Sequence, residues 1–312
     1  MRGASRVVDL LPFVANGVAV GSILLLAAAG LSLLFGVKRF ANFAHGDLMA
    51  LGAYACYAAW VQAGWGLAAG IGVALLVVPL AGMALEWSLF ARLRSRPPAV
   101  LLMASVGVSF ALQNVLKVVW GTRDHSFPRP AETVVALGWG VALTPTKLLL
   151  IALAAGAALG LHLLLTRTKL GKAMRATADN HDLARITGIP TRRVELAAWA
   201  LSGALAAAGG IALGAVGVLT PDMGFHQLLL IFAAVILGGI GSPYGAMLGA
   251  MVVGIAMEFS KPLLQQQGIA PTLSPAVAFA ILVAMLLLRP EGLMGTARAR
   301  GPAWARRRVA RG

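Results

Sequence analysis

Charge is scarce in this chain: 12% of its 312 residues are Asp, Glu, Lys or Arg, and acids are the rarer sign, 11 against 26 bases. Soluble domains carry about 25% charged residues, so a water-facing surface of ordinary extent cannot be assembled from this composition. Cysteine is nearly missing. The one thiol, Cys56, sits among Ala53, Tyr54, Ala55 and Tyr57, which excludes an internal disulfide and a cysteine-built zinc site. No Gly-x-x-x-x-Gly-Lys-Ser/Thr loop occurs, and Leu170-Gly171-Lys172-Ala173 lacks both the first glycine and the hydroxyl that phosphate and magnesium require. His45, His125, His162, His181 and His226 are scattered, without a His-Glu-x-x-His pair, and no Gly-x-Ser-x-Gly elbow is present. ATP hydrolysis by that loop, zinc proteolysis and serine hydrolysis all lose their sequence support. Transport is left as the leading class, with no catalytic residue, metal or cofactor expected.

What is abundant is hydrocarbon. Hydrophobic residues make up 59% of the chain and the mean hydropathy is +0.83. Apolar runs of about 20 residues, the length that spans about 30 Å of hydrocarbon, recur from end to end. The expected fold is an all-α integral membrane protein, one permease-like membrane domain over 1–312, with about eight transmembrane helices. Full spans are read at 13–35, 40–62, 65–90, 99–120, 145–166, 194–219 and 269–288. The first run imitates a signal peptide, but it continues to Phe35, beyond an ordinary signal core, so it is expected to stay as a crossing. The formal charge of +15 sits in short loops between apolar runs, where cations set orientation rather than grip nucleic acid. Placing Lys38 and Arg39, the 92–96 loop, the 167–193 loop and the 289–312 tail on the cytoplasmic side collects 19 of 26 Lys and Arg there. The N-terminus is then outside and the C-terminus inside.

That parity forces 227–259 to enter the membrane and return. A helix over 227–238 is too short for a full crossing at 1.5 Å per residue. Gly238-Gly239-Ile240-Gly241 breaks it, and Ser242 with Pro243 supplies an N-cap and first residue for a second arm. A buried, broken hairpin is expected, with Gly239, Gly241 and Ser242 on a candidate substrate path; close packing of Gly241, Gly245 and Gly249 is the competing reading. A second interruption, Asn42-Phe43-Ala44-His45-Gly46-Asp47, lies in the other half. Asn42 can cap the helix that follows, and Asp47 falls in its first turn, where the helix dipole favours an anion. Asn42, His45 and Asp47 join Gln113 and Asn114 as polar candidates for the path. Of the polar residues inside spans, Gln113 and Asn114 late in the fourth, Glu86 and His162 near cytoplasmic ends and Glu258 near an outer end, most are expected to reach water.

The 167–193 segment is a long polar loop between two spans. Within it, Asp179 is expected to cap a short helix that ends at Gly188 and Pro190. So short a helix needs something packed on Leu183, Ala184 and Ile186, either a partner protein or lipid headgroups. Ion-coupled carriers place an ionisable residue near the bilayer midplane, and these span centres are nearly bare of them. A carrier driven from outside the chain fits better.

Several motifs then occur in order: Asn42-Phe-Ala-His-Gly-Asp47, Gln113-Asn114, Gly121-Thr-Arg-Asp124 with Phe127-Pro128, Arg175-Ala-Thr-Ala-Asp179-Asn180, Leu237-Gly-Gly-Ile-Gly-Ser242 and Arg289-Pro-Glu-Gly292. Together they resemble, nearly end to end, the permeases of branched-chain amino acid ABC importers, specifically the shorter of two permease types. The resemblance implies a coupling helix with Asp179, Asn180, Leu183 and Gly188 at motif positions. It also implies a second permease subunit, two ATPase subunits and a periplasmic substrate-binding protein, in a bacterial inner membrane. The family often has Glu-Asp where this chain has Asp179-Asn180, and Glu where it has Asp47. Urea or short-amide transport by the same family, or a stand-alone carrier or channel, are the alternatives.

Overall fold

The computed structural model describes residues 2–128, 133–138, 141–289 and 291–294, with side chains from Leu11 onward. Its helices are α1 (Arg2–Lys38), α2 (His45–Tyr57), α3 (Leu67–Leu85), α4 (Pro98–Trp120), α5 (Pro145–Arg167), α6 (Lys169–Asp179), α7 (His181–Ile186), α8 (Thr191–Val216), α9 (Met223–Gly238), α10 (Pro243–Gln266) and α11 (Ser274–Leu288). Single π-helical turns extend α2 (Ala58–Gln62) and α3 (Glu86–Phe90). A small antiparallel ribbon, β1 (Val135–Gly138) with β2 (Val141–Leu143), precedes α5 and was not anticipated by hydropathy. Among the described residues, 7 helices are long and apolar enough to cross a membrane. The protein is an all-α, multi-pass membrane protein.

Burial separates a centre from a rim. In α1 83% of the most apolar window is buried, against 22% in α5 and 11% at α11. The rim carries bare hydrocarbon such as Leu287, Leu288 and Val118, which is stable only against lipid or another apolar partner. Helices of the centre approach through small residues: Gly254 meets the Gly21 backbone of α1, and Gly245 and Gly249 meet Gly238 and Ala234 of α9. The close-packing reading of that glycine series therefore holds for Gly245 and Gly249.

The two ends of the bundle are distinct. At the first, here the loop-helix end, lie Lys38 of α1, Glu86 of α3, Glu195 of α8, and α6 and α7. At the other, Trp120 bonds Gln62, and Trp60 packs on Phe127. Two helices do not span this distance. After Lys38 the chain turns back inside the bundle as non-helical 39–44, and α2 begins only where His45 Nε2 meets the Ala27 carbonyl, 2.9 Å away and far up α1. The expected full span over 40–62 is thus a re-entrant stretch plus a shorter helix. After α8, residues 217–222 likewise fold inward, with His125 pairing Leu219 in an isolated bridge, and α9 begins beside α2. These two shorter helices run to opposite ends.

Hairpin 227–259 enters and returns as expected, with two differences. α9 starts earlier, at Met223, and its 16 residues reach roughly 24 Å. The glycine turn is not at mid-depth: Gly241 packs beside Phe35 and Gly36, at the loop-helix end. Ser242 caps α10 as expected, its Oγ accepting from Gly245 N at 3.1 Å, and Gly239 and Gly241 take positive φ of 109° and 85°, which makes the turn possible.

Candidate functional site

The centre is built where α2 and α9 begin. Gly46 and Gly224 cross so closely that a Cβ on either would collide with the other's carbonyl, so the N-termini of the two half-helices face one another with no side chain between. His45 braces this junction: its ring bonds the Ala27 carbonyl of α1 and approaches Ser202 Oγ of α8 at 3.4 Å. A ladder on α4 supports the re-entrant stretch from the side. Ser105 Oγ accepts from Phe43 N at 3.0 Å, Ser109 Oγ donates to Asp47 Oδ2, and the Gln113 amide donates to Ser109 Oγ. These residues recur every four positions, one face of a helix. Asn42 Oδ1 accepts from Ala44 N at 3.1 Å, a tight local turn rather than the helix cap expected, because α2 starts later, with Ala44 at its N-cap. Two buried atoms in this centre, Asn42 Nδ2 and Asp47 Oδ1, make no hydrogen bond within the described residues, although the Gln113 amide is near the Asp47 carboxylate.

The second region is α6 and α7. The expected polar loop is two helices. Thr168 Oγ1 accepts from Gly171 N at 2.9 Å to start α6, whose Gly171, Met174 and Thr177 are buried at helical spacing. The cap of α7 is Asn180, not Asp179: Asn180 Oδ1 accepts from Leu183 N at 3.0 Å, while Asp179 is the last residue of α6. Both residue types cap well, and the start of α7 one residue later selects Asn180. The other end follows the expectation. Gly188 adopts φ 86°, Ile189 N bonds Ala184 O and Gly188 N bonds Arg185 O, the paired closure that a glycine at this position allows. Of α7's apolar residues only Ala184 is buried; Leu183 is 53% and Ile186 80% exposed. Between α6, α1 and the glycine turn opens a cavity of about 310 Å³ that brings Asp179, Gly241 and Ser242 together with Arg39 and Arg175.

Residues 13–286 match the sequence model of a family described as the permease component of branched-chain amino acid transport systems. The chain belongs to this permease family. It is 30% identical over 293 residues to the high-affinity branched-chain amino acid transport system permease protein LivH of Escherichia coli, covering 90% of this chain and 94% of that one. The corresponding BraD of Pseudomonas aeruginosa is equally similar, with the same coverage. A shorter match, 28% over 132 residues, joins 42% of this chain to 29% of the E. coli permease protein LivM. As a permease the chain is a transport subunit, not an enzyme.

The remaining expected site residues fall apart from the centre. Asn114 is exposed and donates to the Phe110 carbonyl one turn back, on the side of α4 away from Gln113. Gly239 is buried but lies by Gly292 at the loop-helix end, with Gly241 and Ser242. Asp222, in the connection between α8 and α9, holds His226 Nε2 3.3 Å from its Oδ2. Glu86, one of the polar span residues mostly expected to reach water, is buried. Sequence reasoning passed over Ser105 and Ser109; their four-residue spacing with Gln113 was the available signal.

Proposed function

We propose that this permease is one transmembrane subunit of a bacterial inner-membrane importer for branched-chain, apolar amino acids, driven by ATP hydrolysis on two separate subunits. The observation that carries this is α7: a capped, six-residue helix holding Leu183 and Ile186 in the open, which so short a helix sustains only as part of an interface. Asp179, Asn180, Leu183 and Gly188 form or flank that docking helix. The loop-helix end faces the cytoplasm, since it carries the dense basic loops, with the N-terminus periplasmic and the C-terminus cytoplasmic. The names of the similar proteins support the cargo, and the LivM match supports a related second permease. A periplasmic binding protein delivers substrate to the opposite end.

Substrate passes the junction of α2 and α9. Opposed half-helices inside a bundle leave backbone and dipoles free for a polar ligand, and Asn42 and Asp47 hold unused hydrogen-bonding capacity beside them. Gln113 belongs to the same wall, and His45 holds the wall in place. Co-purification tests the docking half: tagged permease should capture its ATPase, and Leu183→Asp with Ile186→Asp should reduce capture at least ten-fold. Undiminished capture, or leucine uptake by liposomes holding this chain alone, contradicts the proposal.

A further inference from the structure

A cluster of buried charge at the loop-helix end is used by neither the docking surface nor the substrate path. Lys38, the last residue of α1, donates from Nζ to Glu86 Oε1 at 2.7 Å and to Glu195 Oε2 at 3.0 Å, and its side chain is 4% exposed. The Arg94 guanidinium closes on the same Glu195 oxygen and stands 3.8 Å from Glu86 Oε1. Trp199 Nε1 donates to Glu86 Oε2 at 2.7 Å. The other Glu195 oxygen faces His181 Nε2, the first residue of α7, at 3.4 Å. Two acids thus meet two permanent cations, and the histidine joins them to the docking helix.

Such a cluster is a poor way to gain stability, because well-packed apolar side chains of similar volume hold helices at least as firmly. What charge-assisted bonds supply is fixed direction and distance. Position shows what that is for. Lys38 is the residue from which the re-entrant stretch 39–44 departs. The next residue, Arg39, donates from its guanidinium to the Ala178 carbonyl near the end of α6. Arg39 is also the one non-glycine residue among those described with a left-handed backbone, φ 58°, a conformation that persists only where its surroundings impose it. Phe40 then stacks on Phe90 at 5.1 Å, and Phe90 on Trp199 at 5.1 Å. Three consecutive residues at the root of the re-entrant stretch are therefore clamped to α6 and the α3–α8 pair, Glu195 alone reaches on to α7 through His181, and the stretch leads within a few residues to Asn42 and Asp47.

We infer that Lys38, Arg39, Glu86 and Glu195 are positioning residues of a strut that carries displacement of α6 and α7 into segment 39–44. A shift of α7 moves His181 and Glu195, Glu195 carries Lys38, and Ala178 carries Arg39. The path wall and the cytoplasmic helix then move as one body. This rests on the reading of α7 as the docking helix.

The test uses the whole reconstituted importer and measures leucine taken up per ATP hydrolysed. Lys38→Met combined with Glu195→Gln removes one charge of each sign. In captured complexes this ratio should fall at least ten-fold, an effect that loss of protein alone cannot produce because hydrolysis and uptake are read on the same complexes. An unchanged ratio, within two-fold, overturns the strut. Should the double variant not accumulate, Arg39→Ala leaves the buried charges intact, and its ratio should fall at least three-fold; an unchanged ratio there overturns the strut equally. Failure of the unmodified chain to capture any ATPase overturns the docking reading and the strut together, whereas normal capture with an unchanged ratio overturns the strut alone.

Discussion

At the loop-helix end Lys38, Glu86 and Glu195 each hold at least two polar partners, while at the centre Asn42 Nδ2 and Asp47 Oδ1 hold none. Both regions are buried, so the contrast is not one of solvent. A buried donor or acceptor left unmade costs about 1–3 kcal/mol, and the same chain that pairs all four carboxylate oxygens of Glu86 and Glu195 leaves two groups unsatisfied near Gly46; at the edge of the Lys38 cluster His181 Nδ1 is also without a partner among the described residues. The carboxylate network suits a part that must keep its shape. The open one suits a part that exchanges partners. The difference gives each region its own expected response to mutation.

The largest effect on stability belongs to Lys38→Met, which leaves two buried carboxylates with the half-exposed Arg94 as their remaining permanent cation; removal of one partner from such a cluster costs about 3–5 kcal/mol. Thermal unfolding in detergent should show it, and adding Glu86→Gln and Glu195→Gln should restore most of the loss. The pair of the 42%-exposed Lys261 with the part-buried Glu258 is the control, where Lys261→Met should cost no more than about 1 kcal/mol because the lysine regains water. Next comes the junction. Gly46→Val drives a side chain into the Gly224 carbonyl and should cost about 1–3 kcal/mol or more. Gly107 has open space around it, and Gly107→Ala should leave the melting temperature unchanged or slightly raised. Equal behaviour of the two glycines would mean that α2 and α9 do not meet as described. A smaller effect separates the candidate caps: Asn180→Ala should cost about 1 kcal/mol and speed amide exchange across α7, while Asp179→Ala should leave that exchange nearly unchanged.

The sequence was most readable where a signal is local. The Ser242-Pro243 start of α10 and the Gly188 terminator each depend on neighbouring residues, and each is found where the pattern puts it, whereas the span expected from residue 40 begins as a helix only at His45. Asp179 against Asn180 shows the limit of such reasoning, since two adjacent residues offer the same chemistry and only the backbone chooses. α6 was hidden because its buried stripe, Gly171, Met174 and Thr177, carries a single large apolar residue among several cations. The charge cluster was illegible for another reason. Lys38 and Glu86 are 48 residues apart and Lys38 and Glu195 are 157 apart, and no periodicity links them. The meeting of Gly46 with Gly224 is of the same kind: each glycine looked like a local break, and only the fold shows that two breaks make one junction.

The division of labour between the regions is tested most directly by Asn42→Ala in the reconstituted importer, with leucine uptake measured beside melting temperature. Truncation removes one local bond, to Ala44, worth about 0.5–1.5 kcal/mol, so melting should barely move. Uptake should fall at least ten-fold in complexes that assemble normally. Uptake within two-fold of the unmodified importer would contradict the account, because the unpartnered amide at the centre would then have no part in passing the substrate.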